Sequence, residues 1–431
     1  MNTNGMIRIR KRTQAQWLIW LLVVLPFLFG TLIELIGIPG AIRYVLDIAW
    51  VLLLLGMNHY KRRIGDPITI LFVWVVVFFV YTFLTYLPQY QSGLYYLWGV
   101  RNNFRSYVVF FACATLFTQE LTKSMFKLFD TLFWLNFVLT LFQYFVLGFS
   151  GDYLGGIFGT EIGGNAYTNI FCAIVLTKSL VFYLEKKEST PKCMAKCVAA
   201  LLVAVLAELK FFFVEVLVII ALAVLLTNFT WRKLWVVLGG ILAVFAGAFL
   251  VSILFPTFAG WFSIDWIISA TTSDKGYTHA GDLNRLNAMP IINDLWLQTT
   301  RQRIVGLGLG NCDTSSVAAL DSPFAKLYGD MHYGWLSYAQ MYLECGWLGL
   351  VFSFGFFVLL FLYVNKIRKH STGPRRTYCR MAMILSVLCV LLLVYNSSLR
   401  TEAANMMFFA LAVPFVRDEE RTLIENPSIA Q

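Results

Sequence analysis

Apolar residues in this chain run in continuous blocks of about twenty, the length a helix needs to cross a hydrocarbon core of about 30 Å. In lipid only a helix satisfies its own backbone groups without closing a barrel, and continuous runs rather than alternation argue against a barrel. Reading the blocks against their breaks predicts twelve spans, near 16–38, 40–58, 67–88, 103–118, 128–148, 166–185, 193–209, 211–229, 235–254, 346–364, 381–397 and 402–416. The seventh and eighth are the least distinct. Glu208, Lys210 and Glu215 interrupt a stretch that also reads as one bent helix, and a turn at Lys210 decides the parity. One segment breaks the pattern altogether: residues 255–331 are polar, charged and glycine-rich, and a loop of that size between membrane helices can fold as a lid over a site.

Composition agrees, since 59% hydrophobic and 13% charged residues, with a mean hydropathy of +0.70, exclude a soluble domain of 431 residues. Charge orients the spans, because Lys and Arg in short loops stay cytoplasmic. The clusters Arg8/Arg10/Lys11/Arg12, Lys61/Arg62/Arg63, Lys123/Lys127, Lys186/Lys187/Lys192/Lys196, Arg232/Lys233, Lys366 to Arg380 and Arg417/Arg421 all fall on one side if there are twelve spans and an internal N-terminus. Merging spans seven and eight would put Arg232/Lys233 and the 366–380 cluster outside. The chain is therefore expected to be an all-α polytopic membrane protein with about twelve transmembrane helices. It divides into helices one to nine (1–254), a partly helical extracytoplasmic loop (255–331), helices ten to twelve (332–416) and a cytoplasmic tail (417–431), both termini being cytoplasmic. The net charge of +10 is then mostly topology signal, with some attraction to anionic membrane lipids, and calls for no nucleic acid partner. The first span is too long for a signal peptide and lacks a small-residue cleavage site, so it is expected to stay as an anchor. The eight cysteines are scattered and predict neither a disulfide framework nor a metal set.

Cations that violate this topology are informative. Arg43, Arg101, Arg105, Lys210 and Arg400 fall on short outer turns, and Lys275, Arg285, Arg301, Arg303 and Lys326 in the long loop. Each needs a partner, and neighbours such as Glu208, Glu215, Asp282 or Glu402 could supply it. Taken together, several outer cations and few outer acids describe a receptor for an anion at headgroup level. Phosphate or pyrophosphate fits, with Arg offering a bidentate fork and Lys a point charge, and a lipid-linked pyrophosphate leaving group could be stabilised without a metal or cofactor.

Within the loop, Asp282 to Arg285, followed by Ile291, Ile292, Leu295, Trp296 and Leu297 at helical spacing, predicts an amphipathic helix lying on the bilayer as a hinged cover. Gly306, Gly308 and Gly310 form a turn that lacks the Lys-Ser/Thr of a phosphate loop. His332 follows, then Leu336, Tyr338, Gly346 and Gly349. Of the four histidines it alone stands where an extracytoplasmic loop meets a span, and an imidazole can take or hold a hydroxyl proton near neutral pH.

The order Arg285, Gly306/Gly308/Gly310, His332, Leu336, Gly346/Gly349, late in a twelve-span chain with one large outer loop, resembles the O-antigen ligase and polysaccharide polymerase superfamily. The resemblance covers nearly the whole chain. It implies a GT-C-like fold in a bacterial cytoplasmic membrane, with Arg285 on a donor pyrophosphate and His332 acting on, or orienting, an acceptor hydroxyl. Where the family usually carries a second arginine this chain has Lys210, which keeps the charge and loses the fork. Arg101, Arg105 and Arg400 are further candidates for the pyrophosphate, and Asn165, Asn169 and Tyr338 for the substrate. The stretches around Ile36 to Asp47 and Trp98 to Arg105 look more like repeat-unit polymerases than lipid A core ligases. The resemblance thus implies polymerisation of polyprenyl-pyrophosphate-linked oligosaccharides for a capsule, exopolysaccharide or O-antigen, by metal-independent, inverting glycosyl transfer, with a chain-length regulator and a flippase as candidate partners. The alternatives are a ligase passing finished glycan to another acceptor and, from another class, a transporter. A twelve-span transporter often shows two similar halves and a long inner connector, whereas here the long loop is outside and late.

Overall fold

A computed structural model of the chain describes residues 3–57, 67–89, 91–161, 163–228, 230–254, 281–315 and 317–416. The first part of the long loop (255–280), the clusters Lys61/Arg62/Arg63 and Arg417/Arg421, and the tail 417–431 lie outside the described residues. Among the described residues the regular structure is helical, with no strand. Helices α1 (Thr3–Val24), α2 (Val45–Met57), α3 (Pro67–Tyr86), α4 (Gly93–Leu116), α5 (Gln119–Phe145), α6 (Gly164–Leu184), α7 (Thr190–Leu206), α8 (Lys210–Leu226) and α9 (Trp231–Leu254) precede the described part of the loop. That part carries three short helices, α10 (Ala288–Leu295), α11 (Thr300–Val305) and α12 (Pro323–Tyr328), and α13 (Ser337–Lys369), α14 (Gly373–Tyr395) and α15 (Ala404–Ala412) follow.

Local chemistry sets the boundaries. Ser92 and Thr118 cap α4 and α5 by accepting from the amides of Leu94 and Leu121, and Pro191 and Pro374 sit in the first turns of α7 and α14, where a missing N–H costs nothing. Pro26 ends the regular part of α1, which continues as a tight turn and then a wide one over Thr31–Leu35. The ambiguous stretch resolves into two helices, since α7 closes at Leu206 and α8 opens at Lys210.

Among the described residues, five helices are long and apolar enough to cross a membrane: Ile68–Gln89, Gln119–Phe145, Gly164–Leu184, Ser337–Lys369 and Gly373–Tyr395. They are not equivalent, for the apolar stretch of the Gly164–Leu184 helix is 89% buried inside the protein and that of Ile68–Gln89 only 28%. Thus α3 turns Phe72, Val76, Val77, Val80 and Leu84 outward, as α9 does with Leu242, Phe245 and Phe249. A surface this apolar suits lipid rather than water. α6, α14 and the wholly buried α15 form the centre, where Phe27, Phe129, Phe171 and Phe409 meet at ring distances of 4.8–5.7 Å.

Charge divides the bundle end to end. At the C-terminal end of α6, Lys196 lies 2.9 Å from Asp130 and 2.8 Å from Glu188, Arg380 pairs with Glu185, Arg232 donates to the Tyr183 carbonyl and Arg368 to that of Leu226. Basic clusters far apart in sequence therefore gather at one end. The N-terminal end of α6, about 30 Å away for a helix of this length, carries the cavity described below.

The described part of the loop is a compact cap on that other end. The amphipathic helix expected over 282–297 is shorter, Ala288–Leu295, and is not laid wholly on a bilayer. Ile292 and Leu297 are fully buried, Trp296 packs on Phe324 and Tyr333, and Tyr342 of α13 donates to Asn293 at 2.7 Å. Cap and bundle interlock through glycine. Gly306 (φ +74°) lies against the Glu344 and Cys345 backbone, and Gly346 (φ +61°), where α13 kinks, lies against the Ile304 carbonyl. A Cβ at either site would come within 2.3 Å of main-chain atoms, so the two glycines work as a pair.

Candidate functional site

A cavity of about 810 Å³ opens at the N-terminal end of α6, lined by the start of α6, the α7–α8 turn, the 395–402 turn and the cap. It brings together Asn165, Asn169, Lys210 and Arg285 from three separate parts of the chain. Asn165 and Asn169 stand one helical turn apart on α6 and share a face. Lys210 is the first residue of α8, delivered by the break at 207–209.

Arg285 reaches the cavity on an aromatic support. Its Nε donates to the Tyr395 carbonyl at 3.0 Å, and its guanidinium lies 4.8 Å over the Tyr395 ring. Tyr395 in turn stacks at 4.0 Å on Phe211, the residue after Lys210. This three-layer stack carries the two cations into one cavity. Tyr338 donates to the main-chain carbonyl of Arg285, so its role is to fix that backbone; its ring borders a separate small void of about 40 Å³. Among the described residues no acceptor holds the two terminal guanidinium nitrogens, an arrangement with the geometry of a bidentate donor.

His332 does not itself line the cavity. Its ring stacks at 3.9 Å on Trp335, which does. The backbone there is left-handed (φ +53°), a conformation histidine tolerates better than most residues, and Nδ1 is hydrogen-bonded to the Asp282 carboxylate. A carboxylate on Nδ1 favours the tautomer in which Nε2 can accept a proton. Asp282, read from sequence only as an available counter-ion, is thus the residue that orients the imidazole.

Arg101, Arg105 and Arg400 are not brought to the cavity as cations for a ligand. Arg101 binds both oxygens of Asp47, at 2.9 and 3.1 Å, and approaches Glu402 at 3.3 Å. Arg105 holds Glu402 at 2.7 Å and the Arg400 carbonyl at 2.7 Å. Arg400 pairs with Asp313 at 2.7 Å, and Asp313 also takes Asn102 and Gln340. These charges tie α4, the 398–402 turn and the cap together. Glu402 is the hub, accepting also from Tyr167 at 2.6 Å. Replacing a buried carboxylate that serves two arginines leaves both uncompensated, at a cost of about 3–5 kcal/mol. Glu402→Gln is expected to lower the thermal midpoint of the detergent-solubilised protein by roughly 5–10 °C, read by intrinsic fluorescence.

Sequence reading expected few acids among the outer cations, and the cavity corrects this. Asp152, Glu161, Glu208 and Glu402 line it, as does Arg43, which is paired with Glu161. The cavity is mixed in charge, with Arg43 paired with Glu161 and Lys210 near Glu208 and Asp152. Among the described residues no group of three or more His, Cys, Asp or Glu could hold a metal ion. No protein-family model matches the chain, and no curated protein does.

Proposed function

We propose that this protein is a glycosyltransferase that polymerises polyprenyl-pyrophosphate-linked oligosaccharide repeat units at the outer face of a bacterial cytoplasmic membrane. The observation that carries the reading is the convergence of Lys210, Arg285, Asn165 and Asn169 on one cavity, with the Trp335–His332–Asp282 series at its edge. Its volume lies in the range of ordinary ligand sites. The reading draws support from the basic residues gathered at the other end of the bundle, which the positive-inside rule would put in the cytoplasm, with the cavity and cap outside.

In this mechanism Arg285 and Lys210 hold the pyrophosphate of one lipid-linked glycan. The terminal hydroxyl of a second repeat unit attacks the anomeric carbon from the opposite face. The carbon–oxygen bond to phosphate breaks, and its electron pair leaves with the polyprenyl pyrophosphate, whose developing charge the two cations stabilise. The hydroxyl proton passes to His332, held by Asp282. A single displacement inverts the anomeric centre. The mixed cavity favours this over simple anion capture, because its acceptors suit sugar hydroxyls as its cations suit phosphate.

Lys210 supplies charge without a fork, so Lys210→Arg is expected to retain elongation, whereas Lys210→Ala should lose at least about 10-fold in rate of chain growth. The reading as a whole is tested by purified protein in nanodiscs with one defined lipid-linked repeat unit. A ladder of oligomers with release of polyprenyl pyrophosphate supports it. Transfer only to a different acceptor would indicate a ligase, and lipid translocation without any new glycosidic bond would indicate a transporter.

A further inference from the structure

Two carboxylates, one lining the cavity and one beneath it, stand in positions that are costly to the fold. Glu208 closes α7 in a left-handed conformation (φ +52°), with its amide on the Val205 carbonyl and the Leu209 amide on that of Ala204. This is the helix-closing turn whose central position favours glycine. The Glu208 side chain nonetheless lines the cavity and reaches so close to Gly151 that a Cβ there would stand 3.2 Å from its Oε1. Glu215, one layer deeper in α8, is wholly buried. Its Oε1 accepts from Asn169 Nδ2 at 2.9 Å, while its Oε2 has no partner among the described residues. A buried carboxylate so poorly satisfied opposes folding.

Both make sense through what they impose on the cavity wall. Asn169 turns its amide nitrogen to Glu215 Oε1, 2.9 Å away, and Asn165 turns its own to Asp152 Oδ1, 2.7 Å away. The two side-chain carbonyl oxygens are then turned the other way, and both asparagines line the cavity. With Glu208 they bring acceptors into the cavity that also holds the cations Arg285 and Lys210.

We propose that Glu208, Asn165 and Asn169 form an acceptor-only subsite for the pyranose attached directly to the donor pyrophosphate, taking its hydroxyl and acetamido protons, with Glu215 and Asp152 as positioning residues that fix the asparagine amides. The inference rests on the function proposed above.

The test compares two lipids, polyprenyl pyrophosphate and the same lipid carrying one N-acetylhexosamine, titrated against the full-length protein in nanodiscs. Wild type should bind the glycosylated lipid about 10-fold tighter than the bare one, as two or three added neutral hydrogen bonds allow. Glu208→Gly and Glu215→Leu should keep or raise the thermal midpoint while abolishing that preference, with bare-lipid affinity unchanged or tighter. Retention of the wild-type preference in both variants overturns the subsite, and so does an equal loss of both lipids, or a fall in midpoint for Glu208→Gly. The broader reading fails separately: wild type binding neither lipid, or Arg285→Ala binding bare polyprenyl pyrophosphate as well as wild type does, would remove the donor site itself.

Discussion

Arg285→Ala is expected to slow elongation by about 10²–10³-fold while the protein remains folded and inserted, the loss typical when one preorganised donor to a developing anion is removed. Little of the fold depends on this side chain. Its Nε bond to the Tyr395 carbonyl and its seat on the Tyr395 ring are surface contacts at the mouth of the cavity, and the Phe211–Tyr395 stack persists without it. Arg285→Lys should recover only part of the rate, because lysine restores charge but neither the planar fork nor the stacking. The check is single-turnover transfer from a defined lipid-linked repeat unit, alongside the thermal midpoint. Normal polymer length in Arg285→Ala would take this residue out of the mechanism.

Loss of the imidazole should be of the same order or larger. Proton transfer by a positioned side chain contributes about 10²–10⁴-fold, and His332→Ala should lose most of it. Alanine alone would leave the cause ambiguous, because residue 332 has a left-handed backbone. His332→Asn answers this: asparagine accepts that backbone readily and cannot act as a base near neutral pH, so it should be as inactive as alanine. Asp282→Asn should fall between, since the imidazole remains but loses the carboxylate on Nδ1. Chain growth in His332→Asn near the wild-type rate would show that residue 332 serves the backbone and not the proton.

Helix positions were legible where apolar runs were unbroken, and the split at Lys210 showed in the polar trio Glu208, Lys210 and Glu215. The start of α4 was not. Sequence placed it near 103 and put Arg101 and Arg105 on a short outer turn, yet the helix begins at Gly93, and both arginines lie inside it, neutralised by Asp47 and Glu402. A charge reads as a boundary until its partner is known, and Glu402 lies about 300 residues away.

The same limit shaped the site. Residue type and topology singled out Lys210, Arg285, Asn165 and Asn169, which the fold does bring together. Nothing along the chain distinguished Tyr395, Phe211 and Trp335 from the other aromatics, because their role depends on stacking between segments. Asp282 stands fifty positions before His332 and was one acid among several. Glu208 carried a signal only in retrospect, as an acidic residue where a helix-closing glycine is expected.

The central claim is that the lipid pyrophosphate donor occupies the cavity between α6, the α7–α8 turn and the cap. A polyprenyl-pyrophosphate sugar with a photoreactive group on its first sugar, cross-linked to the protein in nanodiscs and mapped by mass spectrometry, tests it directly. The account predicts label on peptides carrying Asn165, Glu208 or Trp335, suppressed by unlabelled donor and in Arg285→Ala. Label gathered instead around Lys196, Glu185 and Arg380, at the opposite end of α6, would contradict it.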